Sequence, residues 1–171
     1  MTYSIAIIGL GLMGSSLACD LSHWAQKTSI TGYDIDKETQ QWCLQKGIVD
    51  RIAESPQQAV KESDLVFIAT PVRIIPKIYS EIYSHLLPQA VIFDLGSTRQ
   101  WVFDHLVPAP DTHLYCGFHP MGGGINSGAH SAQKQLFKEK PLLVTPYRPF
   151  RNGEINIIEE IAHCLGSRVF F

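Results

Sequence analysis

The chain has 171 residues, 45% hydrophobic and 18% charged, and 14 Lys+Arg against 16 Asp+Glu give a formal net charge of −2. That is one domain's worth of sequence, able to bury about 70% of its unfolded surface without a disulfide or metal to staple it. The composition excludes a disordered chain, the lack of a basic excess argues against nucleic acid as a partner, and no apolar run reaches the roughly 18 residues of a membrane span.

The opening MTYSIAIIGLGLMGSSLA has no basic start and carries three glycines in its apolar stretch, so it reads as part of the fold and not as a secretion signal. Tyr3–Ile8 is a short continuous apolar run, as expected of a parallel strand covered on both faces. A helix is predicted from Leu12 to about Gln26, a second strand over Ser29–Asp34, and a helix capped by Asp36 and running through Lys46. Ser55-Pro56 starts a further helix, with Ser as N-cap and Pro at the first helical position. Asp64–Thr70 reads as a buried strand, followed by a helix over Pro71–Leu87 that is interrupted or restarted at Pro76.

Ala90–Leu95 is the next strand, Ser97–Leu106 the next helix, and Leu114–Phe118 a strand that runs into a Gly-rich loop from His119 to Gly128. Pro141–Thr145 and Arg168–Phe171 are late strands flanking a helix near Glu154–Leu165. Strand–helix alternation without repeats or a composition shift predicts an α/β fold with a doubly wound, mostly parallel sheet. Four dispersed cysteines (Cys19, Cys43, Cys116, Cys164) form no CxxC pair, which fits reduced thiols in a cytoplasmic protein and no metal site.

Gly9-Leu10-Gly11-Leu12-Met13-Gly14 is G-x-G-x-x-G, closing the first strand and opening the first helix. In that setting the first Gly permits the tight turn, the second lets backbone approach a pyrophosphate, and the third lets helix pack on strand. The Leu12 and Met13 N–H groups at the helix start would meet phosphate. Asp34 ends the second strand 20 residues after Gly14, where a carboxylate accepts from adenosine ribose hydroxyls and repels a 2′-phosphate. With no Arg following it, NAD is favoured over NADP.

Ligands of an open parallel sheet sit outside the carboxyl ends of the strands. There the sequence places Ala69-Thr70-Pro71, then Gly96-Ser97-Thr98-Arg99, then His119-Pro120-Met121 and three glycines. Ala69, Thr70 and Pro71 would border the nicotinamide ribose, although Pro71 equally suits the start of a helix. Ser97 fits an N-cap and could also hold a substrate hydroxyl. His119 has the near-neutral titration of a base that takes a proton as hydride leaves the same carbon. His23, His85, His105 and His163 fall in helical stretches as surface residues.

These residues resemble the prephenate/arogenate dehydrogenase family of tyrosine biosynthesis. The likeness rests on GLGLMGSSLA (9–18), GYD ending at Asp34, DLVFIATPV (64–72), DLGSTR (94–99), and GFHPMGGGINSG (117–128) followed by LF at 136–137 and LLVTP at 142–146. It implies a Rossmann-like domain that binds NAD and takes part in oxidative decarboxylation of prephenate or arogenate. His119, matching the HPM histidine, would accept the hydroxyl proton, and Ser97, matching the GST serine, would orient that hydroxyl. Loss of CO2 then restores aromaticity.

Arg99 departs from the family's usual Lys and Ile125 from a frequent acid. The family continues into a helical domain that dimerises, closes the substrate site and supplies an Arg for a substrate carboxylate. Residues 1–171 are therefore read as the dinucleotide-binding domain with that helical domain absent, its carboxylate-binding role falling to Arg99, Arg148, Arg151 or a partner chain. A strand edge near Phe171 suggests a homodimer. Two other readings stay open: a related NAD-dependent dehydrogenase of 3-hydroxyacid type, and a dinucleotide-binding module without turnover.

Overall fold

The computed structural model describes residues 2–110, 112–124 and 126–171, so Ile125 lies outside the described residues. Its first unit is β1 (Tyr3–Ile8), α1 (Leu12–Leu21) and β2 (Lys27–Tyr33), followed by α2 (Lys37–Gln45) and the two-residue β3 (Arg51–Ile52). Then come α3 (Pro56–Val60), β4 (Leu65–Ile68), α4 (Ile75–Ile82), β5 (Val91–Asp94), α5 (Arg99–Asp104) and β6 (Leu114–Pro120). The chain closes with β7 (Pro141–Pro146), α6 (Glu154–Leu165) and β8 (Arg168–Phe170).

The eight strands form one sheet in the order β3-β2-β1-β4-β5-β6-β7-β8. Neighbours are parallel except β6 and β7, which run antiparallel. This is the predicted doubly wound α/β sheet of Rossmann type. Strand order turns outward on either side of the β1–β4 pair, which opens a crevice at their carboxyl ends. Because strand side chains alternate, the sheet feeds two cores. Ile5, Ile7, Phe67, Phe93 and Phe118 pack under α1 and α6, while Ala6, Ile8, Val66, Ile92 and Tyr115 pack under α3, α4 and α5.

Local signals held where chemistry is local. Asp36 caps α2, its carboxylate accepting from the Glu38 and Thr39 N–H groups, and Ser55 caps α3 with Pro56 in the first turn. The helix expected to reach Gln26 stops at Leu21 instead. Ser22 Oγ bonds back to the Cys19 carbonyl (2.8 Å), and the chain dives so that Trp24 stacks on Tyr3 at the foot of β1 (5.4 Å between rings). His23 therefore lies in an exposed turn and not on a helix.

The helix expected from Ser97 starts at Arg99; Thr98 holds the N-cap position and its side chain makes no capping bond, so Ser97 is not the cap. β6 runs two residues past Phe118, because β7 pairs with it through His119↔Leu143 and Pro120↔Leu142. His119 is thus a strand residue, not the first residue of a loop. Among the described residues no helix is long and apolar enough to cross a membrane.

Candidate functional site

One bank of the crevice is made of backbone. Gly9 leaves β1 with φ +97° and donates to the Tyr33 carbonyl (2.8 Å). A Cβ at Gly9 would fall 2.7 Å from the Ala69 carbonyl oxygen, so only glycine lets this turn lie against the end of β4. A Cβ at Gly14 would fall 1.9 Å from the Gly9 carbonyl oxygen, which fixes how closely α1 sits on the turn. At Gly11 a Cβ would meet no heavy atom within 4 Å, so the space in front of it is open. No side chain caps α1 there, leaving its first N–H groups, Leu12 and Met13 among them, at the positive end of the helix.

Asp34 sits just past β2 and does more than the sequence suggested. Its Oδ2 accepts from the Leu10 N–H (2.7 Å) and its Oδ1 from the Asp36 N–H (3.0 Å), so the carboxylate braces the glycine turn. Each oxygen keeps a second lone pair for a ribose hydroxyl. Gly9, Gly11, Asp34, Ala69, Thr70 and Pro71 all border one cleft of about 620 Å³, whose wall also includes Tyr33, Ile35, Pro56, Ile74 and Ile78, with Lys77 and Glu81 of α4 on its rim. A mostly apolar slot with Asp34 and an uncapped helix N-terminus fits a dinucleotide. Leu12, Met13 and Gly14 stand in the first turn of α1 beside it.

The other bank is made of side chains at the ends of β5 and β6. Register puts Asp94 opposite Gly117, and Gly117 shares its face of β6 with Tyr115 and His119. Asp94 is fully buried and its Oδ1 binds Arg99 Nη1 (2.9 Å) and the Gly96 N–H (3.0 Å). Burial pushes the Asp94 carboxyl up, against the pull of Arg99 and of the Gly96 N–H.

His119 is half-buried. Burial holds its imidazole below the ordinary histidine value, with the Arg99 guanidinium acting in the same direction and the Leu95 carbonyl and Asp94 acting against it. Its Nδ1 is sealed from solvent, and the ring meets the Leu95 carbonyl at the end of β5. A neutral imidazole at neutral pH can accept a proton.

Ser97 is exposed in the turn after β5, at this same end of the sheet. The loop after β6 returns to the phosphate side: a Cβ at Gly124 would lie 3.2 Å from Leu12 Cδ2, and the Gln133 N–H donates to Ser16 Oγ on α1 (2.9 Å). The two banks therefore lie at one end of the sheet, the carboxyl ends of the parallel strands β1, β4, β5 and β6. Of the arginines considered for a substrate carboxylate, Arg148 is closed by the Glu154 carboxylate through two bonds (2.9 and 2.6 Å), and Arg151 is exposed at the far side of that pair. Asp94 and Gly117 were not singled out from the sequence; the acid ending the apolar run AVIFD was the available signal.

The profile of the family described as prephenate dehydrogenase, nucleotide-binding domain, matches residues 17–171. The chain is 30% identical over 165 residues to a cyclohexadienyl dehydrogenase of Zymomonas mobilis, covering 96% of this chain and 56% of that one. It is 34% identical over 148 residues to a prephenate dehydrogenase of Bacillus subtilis, covering 85% of this chain and 40% of that one. It superposes with a TM-score of 0.88 at 26% identity on a prephenate dehydrogenase from A. aeolicus solved with hydroxyphenyl propionate and NAD+, covering 99% of this chain and 59% of that one. The chain thus spans about half the length of the relatives it matches. It belongs to the prephenate dehydrogenase family, and what it comprises is the family's nucleotide-binding domain.

Proposed function

We propose that this chain is the NAD-binding half of a dehydrogenase that oxidatively decarboxylates prephenate or arogenate, with His119 as the base. The observation that carries the reading is His119 itself: a half-buried imidazole held below its ordinary value, at the same end of the parallel sheet as an uncapped helix N-terminus. NAD, when bound, would supply the hydride acceptor. Gly9, Gly11, Leu12, Met13 and Gly14 would hold its pyrophosphate, Asp34 the adenosine ribose hydroxyls, and Ala69, Thr70 and Pro71 the nicotinamide ribose.

The protein's own part is alignment and one proton. His119 takes the proton of the substrate hydroxyl as hydride leaves the carbon that bears it, and exposed Ser97 orients that hydroxyl. Departure of CO2 restores the aromatic ring and makes the step irreversible. Asp34 sets the preference for NAD, since a 2′-phosphate would meet its carboxylate. β8 is one of the two edge strands of the sheet, β3 being the other, and an unpaired edge supports pairing with a second copy. The free thiols of all four cysteines support a cytoplasmic location.

The test is NADH formation from prephenate and from arogenate by the protein expressed from its natural reading frame. His119→Asn is expected to lose about 10²–10⁴-fold in turnover while NAD+ affinity stays the same. Undiminished turnover would remove His119 from the mechanism.

A further inference from the structure

The proposed reaction leaves the buried Asp94–Arg99 pair without a role. Taking the Asp94 carboxylate fully, and the Arg99 guanidinium largely, out of water offsets much of their attraction, so stability alone is a weak reason to keep such a pair. The sheet is nevertheless shaped around it. A Cβ at Gly117 would lie 2.0 Å from Arg99 Nη1 and 2.4 Å from its Cδ, so the guanidinium occupies the place of a side chain on β6. His119 stands two residues further along the same face, about 7 Å away by strand rise. Asp94 Oδ1 also ties the Gly96 N–H, which anchors the turn leading to the α5 residue that carries the charge.

We propose that Arg99, laid over Gly117 and pinned by Asp94, is a positioning residue for His119 that sets the charge the imidazole can carry in the resting site. This rests on the reading of His119 as the base. A fixed positive charge opposes a second proton on the ring, and the buried carboxylate moderates that effect. Among the described residues, the charged groups that act on the ring are Arg99 from α5 and Asp94 from β5; β7 opposes it with Leu143, which carries none. Tyr115, beyond Gly117 on the same strand face, is held protonated by burial and by Asp94. An Arg at this position suits the task because one arm of its fork can hold Asp94 while the charge spreads over the plane.

The test is an NMR titration of the His119 imidazole in this chain. Arg99→Gln moves the midpoint to higher pH, Asp94→Asn moves it to lower pH, and Arg99→Lys, which keeps the charge, leaves it near the wild-type position. Gly117→Ala displaces the guanidinium without removing either charge and also raises the midpoint. A purely structural pair would change stability without this opposite-signed pattern. Midpoints that stay put, or that move the same way in Arg99→Gln and Asp94→Asn, overturn the proposal. If the midpoints move as stated while the pH profile of NAD+-dependent turnover does not follow them, the positioning role stands and His119 is not the base.

Discussion

The two banks of the crevice are built from opposite materials. On the phosphate side, backbone does the work: Gly9 and Gly14 make room for close contacts, and the Asp34 carboxylate is engaged by two main-chain N–H groups. On the β5–β6 side, glycine serves a side chain instead: Gly117 is bare so that Arg99 can lie across it beside buried Asp94. The first arrangement is fixed by steric contact and main-chain hydrogen bonds. The second depends on charge, so it can be tuned by pH and by substitution at sites that touch no ligand.

Perturbing each bank separately sharpens that contrast. The largest effect after His119→Asn is expected from Gly14→Ala, whose Cβ would overlap the Gly9 carbonyl oxygen. Neither partner is a flexible side chain, so helix and turn must part, with a stability loss of about 1–3 kcal/mol and loss of nucleotide binding. Denaturant melts and NAD+ titration measure both.

Asp34→Asn comes next. An amide offers one accepting oxygen where the carboxylate offers two, so the N–H of either Leu10 or Asp36 loses its partner, at about 1–3 kcal/mol. Discrimination between NAD+ and NADP+ should narrow in the same variant. Preserved stability with preserved discrimination would mean that Asp34 neither braces the turn nor reads the ribose.

The smallest effect is one of pH. Burial holds His113, which is 8% exposed, and His119 below the histidine value of 6.5. The unfolded chain therefore binds more protons as pH falls through that value, so stability is full above it and declines over the range below it. Denaturant midpoints measured across that range should fall, and His113→Gln should flatten the decline. A flat profile in the wild type would show that neither imidazole is neutral at a cost to its charged form.

The same contrast explains what could be read from the sequence. The glycine turn, the acid ending β2, and the caps Asp36 and Ser55 are local, each decided within a few residues, and were legible. The far end of β6 was not. The strand reads as stopping at Phe118 until β7, arriving about 20 residues later, pairs antiparallel and carries the ladder through His119 and Pro120. β3 escaped notice because its two residues pair only with Thr31 and Gly32.

Ser97 read as a cap because Ser before a helical run usually is one. The chain instead keeps the turn extended through Thr98 and starts α5 at Arg99, whose side chain reaches back to Asp94. Asp94 and Arg99 are only five residues apart, but the bare glycine comes from the next strand, and only the sheet register brings it under the guanidinium.

The most direct measurement is an NMR map of this chain titrated with NAD+. Shifts should concentrate at the amides of Gly9, Gly11, Leu12, Met13 and Gly14, at Asp34 and Thr70, and at the His119 imidazole, with NADP+ binding more weakly. Shifts that spare the glycine turn, or that reach it without touching His119, would contradict a single crevice in which one bank holds the nucleotide and the other holds the base.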